Sequence, residues 1–326
     1  MKKKKFYAPG PKKTKGPRPT RDIFDLVFKR LIRLSPRAVT GFINGLFGTS
    51  HPPDGAVEYP NTESVSRGLR RLLSDTVIAI GGSTYHVEVE TSGDAEIAIR
   101  VFEYGFAQAL RAKTASGSVI SVRFPEARVI YLDPRGKAPG EVTLRLEFPG
   151  GSHDYKVKTF RLPEHGPGEL EKRKMYLLLP FCVLGLRRAL GKAKTPGQRK
   201  ALAREMEALL GTLAGMAESG VRAGDLSGAD GRAVLEYTER LYRELYMGYT
   251  EFKESDMIVK GMLLTYSEEV ALKTRRKTRR EDAKRYQEEK KKVIEETERK
   301  TEQKAALKTA RKMKGLNLPV DQIAIV

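Results

Sequence analysis

Apolar residues first recur at helical spacing just after residue 21. In "DIFDLVFKRLIRL" Ile23, Phe24, Val27, Leu31 and Leu34 fall on one face, which predicts a helix beginning near Asp22. "PRAVTGFINGLFG" predicts a second short helix, entered at Ser35-Pro36 and ended by Gly48. The period then changes. "LLSDTVIAI", residues 72–80, is rich in β-branched and aliphatic side chains, and "GGS" separates it from the alternating "TYHVEVET"; together they predict a β-hairpin. Helical spacing returns in "DAEIAIRVFEYGFAQALRAK", where Ile97, Val101 and Phe106 join Ala98, Phe102 and Ala109 in a broad apolar face. Three more extended segments follow: "ARVIYLD" (127–133), "EVTLRLEF" (141–148) and "YKVKTFRL".

Beyond Pro167 the pattern is helical throughout. It runs through "ELEKRKMYLLLPFCVLGLRRAL", then "GQRKALAREMEALLGTLAGM" with Leu202, Met206, Leu209 and Leu213, then a tyrosine-rich helix from about Gly231 to Phe252. Tyr237, Tyr242, Tyr246 and Tyr249 follow the helix period, so they are expected to pack between helices and not to form a base-stacking platform. The expected fold is α/β: a mixed sheet flanked by helices over residues 22–165, followed by a helical C-terminal region over 166–272. Residues 1–21 mix Lys, Pro and Gly without hydrophobic periodicity and read as a disordered arm; residues 273–326 read as a charged, solvated helix and tail.

Charge sharpens this division. The chain of 326 residues carries a formal +20, of which the two ends supply +18: nine basic residues and no acid in 1–21, eighteen basic and nine acidic in 273–326. Two arms thus carry the attraction to a polyanion, and the body between them is nearly neutral. Nucleic acid is the natural partner; an anionic membrane surface, or mere solubilisation, are the alternatives. Cys182 is the lone cysteine, which excludes a disulfide framework and a cysteine-based zinc site and suits a reducing cytoplasm. No apolar segment follows the N-terminal lysines as in a secretory signal. The most apolar run, Met175 to Leu186, contains Pro180 and is well short of the roughly 20 residues that span a bilayer, so no integral membrane segment is expected.

Candidate chemistry concentrates in the hairpin. His86, Glu88 and Glu90 alternate with Tyr85, Val87 and Val89, so the two sets lie on opposite faces of the strand, the apolar set facing the core. Asp75 interrupts the head of an apolar strand, a costly place for an unpartnered carboxylate. Across the Gly81-Gly82 turn it is expected beside Glu88 or Glu90, and three converging carboxylates ask for a cation. Hard oxygen donors suit Mg2+ or Mn2+, and an ion so held favours phosphodiester hydrolysis. The plain alternative is that "HVEVE" is the solvated face of a half-exposed strand, with His86 an exposed residue and Arg100 a member of a surface network with Glu96 and Glu103. No Walker-type loop, HExxH pair or G-x-S-x-G elbow points elsewhere.

Asp75, then "EVE" at 88–90, then a helix bearing "IRVFEYGFAQAL", resembles the PD-(D/E)XK nuclease superfamily, specifically its recombination-promoting nuclease and transposase branch. "FINGLFG", "RFPEARVIYLDP", "GEVTLRLEFPGG", "YLLLPFCVLGL" and "IVKGMLLTYSEEV" extend the likeness over most of residues 22–272. The resemblance implies a restriction-endonuclease-like core, a metal-dependent endonuclease acting on DNA in recombination, transposition or defence, and a possible homodimer, since a double-strand break needs two sites. It implies Asp75 and Glu88 as metal ligands, the Val89 carbonyl as a further one, Arg100 and Tyr104 as substrate-binding or orienting residues, and Glu63 as an upstream acid. Glu90 departs from the family pattern: the superfamily usually has Lys there and this branch often Gln. Some restriction endonucleases of the superfamily do carry Glu. At that position Glu would act as a general base or a third metal ligand. A fold relative that has lost catalysis and only binds nucleic acid or scaffolds is the competing expectation.

Overall fold

A computed structural model of the chain describes residues 21–60, 63–65, 71–73, 76–91, 96–133 and 138–253, with isolated helical positions between 261 and 291. The chain divides into two compact units, Met1–Ala271 and Leu272–Val326; every element named below belongs to the first.

Helices α1 (Arg21–Leu31) and α2 (Pro36–Phe47) form as their spacing predicts. The second is delimited by local chemistry: Ser35 caps it by accepting from the Ala38 amide, Pro36 occupies its first turn, and Gly48 ends it at φ +74°, a conformation that costs other residues a Cβ clash. Strands β1 (Val57–Glu58), β2 (Glu63–Val65), β3 (Arg71–Leu73), β4 (Val77–Ile80) and β5 (Ser83–Glu90) follow, then α3 (Ile97–Arg111). Strands β6 (Thr114–Ser116) and β7 (Val119–Ser121) make a separate small hairpin before β8 (Glu126–Tyr131), β9 (Glu141–Phe148) and β10 (Gly151–Arg161).

The expected strand over 72–80 is divided. Its start, β3, pairs with β2 in a two-stranded sheet, and only β4 forms the hairpin with β5. Residues 74 and 75 between them, Asp75 included, lie outside the described residues.

The principal sheet has six strands in the order β1-β4-β5-β8-β10-β9. Strands β5, β8 and β10 run parallel and the others antiparallel to their neighbours, so Glu90, Tyr131 and Arg161 end three parallel strands at one edge of the sheet. Both faces are covered, which is why "ARVIYLD" is apolar without alternation. Ala127, Val129 and Tyr131 meet Ile97, Ala98 and Val101 of α3 in the smaller core. Ile130 and Leu132 join Tyr85, Val87 and the helices in the larger one.

That larger core is closed by α4 (Pro167–Lys172), α5 (Arg187–Lys192), α6 (Pro196–Ala223) and α7 (Gly228–Tyr246). The run Tyr176–Leu186 is buried, as its composition requires, but as a 3₁₀ helix carrying Pro180 where the pattern predicts an ordinary helix. One continuous apolar core therefore joins the strands to the helical half. Asp230 adds a polar tie: one carboxylate accepts from the Ser35 amide and hydroxyl and from the Ser227 amide, linking the starts of α2 and α7. Tyr242 and Tyr246 are buried and Tyr237 and Tyr249 pack against the same core, as their spacing predicts. Among the described residues no helix is long and apolar enough to cross a membrane.

Candidate cation site beneath helix α3

Strand β5 is an interior strand, bonded to β4 on one side and β8 on the other. Its period of two sends Tyr85 and Val87 into the larger core and His86, Glu88 and Glu90 toward α3. The second face is therefore not the solvated face of a half-exposed strand. His86 corrects the expectation most sharply: it is fully buried, where the pattern favoured exposure. Its ring lies edge-on to Tyr104 at 5.9 Å, and its Nε2 is 3.0 Å from Glu88 Oε1. Alternation alone could not reveal this, because the cover comes from a helix 11 residues downstream.

Arg100 reaches back from α3 to both glutamates. Its terminal nitrogen donates to Glu90 Oε2 at 3.0 Å, and its Nε lies 3.6 Å from Glu88 Oε2. Glu90 Oε1 accepts from the Thr91 amide at 2.8 Å. Arg100 thus pairs with the strand acids, where the surface alternative placed it with Glu96 and Glu103. Burial pulls the guanidinium pKa down, but Glu88 and Glu90 outweigh burial and leave it raised. The Tyr104 hydroxyl is held above its ordinary range by burial first and by the Glu88 charge second.

Two features make this a candidate cation site. Two carboxylates share one guanidinium, that of Arg100, and His86 lies beside Glu88. The clamp is also incomplete, because Arg100 Nε is buried yet makes no hydrogen bond. The Oε2 atoms of Glu88 and Glu90 are hard donors converging on one cation, which fits Mg2+ or Mn2+ if Arg100 withdraws. Among the described residues, no group of three or more His, Cys, Asp or Glu side chains is placed to hold a metal by itself.

Of the other expected site residues, Asp75 lies outside the described residues. Glu63 sits in β2 opposite Leu73, in the small sheet, and nothing is described of its side chain. Val89 is paired with Ile130 of β8 and packs against the larger core. A feature the sequence pattern did not single out is Asp133, just past β8. It pairs with Arg188 at 2.9 Å and Arg187 at 3.6 Å, beside a cavity of about 330 Å3 walled by Leu132, Leu162, Phe181 and Leu184. Its only signal was an acid ending an apolar strand.

Compared with known proteins, the chain matches no family model, no curated protein and no solved structure.

Proposed function

We propose that the protein is a divalent-metal-dependent endonuclease that hydrolyses DNA phosphodiester bonds. The observation that supports this most is the convergence of Glu88 and Glu90 on one cation, the Arg100 guanidinium, next to the edge where three parallel strands end. Open α/β sheets place their ligands outside such carboxyl ends.

Glu88 and Glu90, with Asp75 as the expected third acid, would hold Mg2+ or Mn2+. When bound, such an ion stabilises charge on a phosphoryl oxygen and lowers the pKa of water. Glu90 stands where a water proton can be taken up, its other oxygen fixed by the Thr91 amide. Arg100, 41% exposed, is placed to exchange its hold on the glutamates for a phosphate oxygen. His86 and Tyr104 keep Glu88 in place from the buried side. The basic ends, residues 1–21 and 273–326, would supply phosphate contacts whose affinity falls steeply with salt.

One observation favours a second reading, a nuclease-like protein that binds nucleic acid without cutting it: Arg100 already occupies the position between the glutamates. Incubating supercoiled plasmid with Mg2+ or Mn2+, wild type beside Glu88→Ala, separates the two. Nicking by wild type alone supports the enzyme; retention of plasmid by both without nicking supports the second reading.

A further inference from the structure

The β6–β7 hairpin serves neither core. Every residue from 110 to 123 is exposed, and the apolar ones are not spared: Val119 is 61% and Ile120 65% accessible. A two-stranded hairpin alone is marginal in water, and this one has its apolar side chains facing solvent. Its base, in contrast, is anchored. Phe124 packs on Phe102 at 5.4 Å and on Tyr155 at 5.5 Å, and Gly105 makes room for it, since a Cβ there would come to 3.0 Å from the Phe124 ring. Gly117, at φ +58°, makes the tight turn between Ser116 and Val119. The hairpin is a fixed stem with an uncovered tip.

Charge indicates what covers it. No acid occurs between Glu103 and Glu126, whereas Arg111, Lys113 and Arg123 flank the hairpin and are all exposed. A segment that is basic at its base and aliphatic at its tip complements a polyanion with an apolar interior, which is what a base-paired duplex presents. A second copy of this strongly basic chain would meet the same positive charge. The hairpin also lies on the helix that carries Arg100: Arg111 is about 16 Å further along α3, a reach of about five base pairs.

We propose that β6–β7 is a ribbon that enters the major groove of duplex DNA. Lys113 and Arg123 contact the phosphates on either side, and Ile120, the more exposed of two neighbours on opposite faces of the strand, packs against base edges such as thymine methyl groups while Val119 faces the groove wall. A two-stranded ribbon fits the B-form major groove, about 12 Å wide, and does not fit the narrow one of A-form RNA. The proposal rests on DNA being the partner and does not depend on catalysis.

The test uses the full chain in EDTA, so that nothing is cut, and measures anisotropy of a labelled DNA duplex and of the matching RNA duplex. Val119→Ser/Ile120→Ser is expected to weaken DNA binding about tenfold and to leave RNA binding unchanged. Lys113→Ala/Arg123→Ala is expected to lower the slope of log affinity against log salt by about 2. Guanine N7 protection from dimethyl sulfate should be present with wild type and lost with the first variant. Wild-type DNA binding with both variants indistinguishable from it overturns the ribbon alone; failure of wild type to bind DNA overturns the DNA partner as well. Unchanged DNA binding together with loss of a wild-type dimer, or of wild-type binding to phosphatidylserine vesicles, would assign the tip to a second copy or to lipid and overturn the proposal.

Discussion

Replacing Arg100 with Gln removes the guanidinium that both strand acids share while keeping a hydrogen-bonding side chain of similar length. Glu90 and Glu88, with side-chain exposures of only 8% and 15%, then lose the guanidinium they share. Removing one partner of a fully buried pair costs about 3–5 kcal/mol, and an exposed pair contributes about 0–1 kcal/mol. With Arg100 itself 41% exposed, the loss should fall between these limits, at about 2 kcal/mol. The chain has no tryptophan, so urea unfolding is best followed by far-UV circular dichroism. Adding Glu90→Gln to Arg100→Gln should recover part of the loss, with a coupling energy of about 1–2 kcal/mol in the double-mutant cycle. Mn2+ should stabilise Arg100→Gln more than wild type, because the guanidinium no longer competes for the same oxygens. A loss within about 0.5 kcal/mol, or a Glu90→Gln effect that simply adds to it, would refute the clamp.

Other expectations concern the frame around the site. Asp230→Ala breaks the caps of α2 and α7 together and should destabilise by about 2–4 kcal/mol in the same urea assay, with the site spectroscopically intact. Gly45→Ala should cost about 2–3 kcal/mol, since its Cβ would press on the Arg173 carbonyl and stand 2.6 Å from Met175 Cγ, where backbone has to move. Desolvation pushes the Cys182 thiol from an ordinary 9.0 to about 12, so at pH 8 the native chain should resist alkylation that the urea-unfolded chain undergoes readily. With the native pKa above the unfolded one, this thiol leaves stability intact below pH about 9 and lowers it progressively from there toward pH 12; Cys182→Ala should flatten that alkaline limb of the stability profile.

Periodicity carried the helices well. The spacing of Phe24, Val27 and Leu31, and of Ile97, Val101 and Ala109, marks faces that are in fact buried, because a stripe of that width has only one place to go. The alternation of β5 gave the two sets of side chains correctly but not their surroundings. Whether the glutamate face meets water depends on a helix laid over it, and no window centred on the strand contains that information. Residues 72–80 read as one strand because aliphatic residues occupy both ends, Leu72-Leu73 and Val77 to Ile80, yet β3 and β4 belong to different sheets. The β6–β7 hairpin escaped because "TASGSVIS" has small and polar residues where strand signals require bulk, so a local turn at Gly117, not side-chain pattern, organises it. In the site, spacing put Glu88 and Glu90 on one strand face and the family resemblance singled out Arg100; the contact from His86 to Glu88 was not legible, because it depends on burial.

The central claim is that Glu88 and Glu90 form the seat of a divalent cation, and Mn2+ binding by the 326-residue chain, followed by electron paramagnetic resonance at low salt, tests it most directly. The account predicts a saturable loss of the free Mn2+ signal with wild type that disappears in Glu88→Gln while the fold, checked by circular dichroism, is kept. A wild-type chain that leaves all the Mn2+ free, or a Glu88→Gln chain that takes it up equally well, would contradict it.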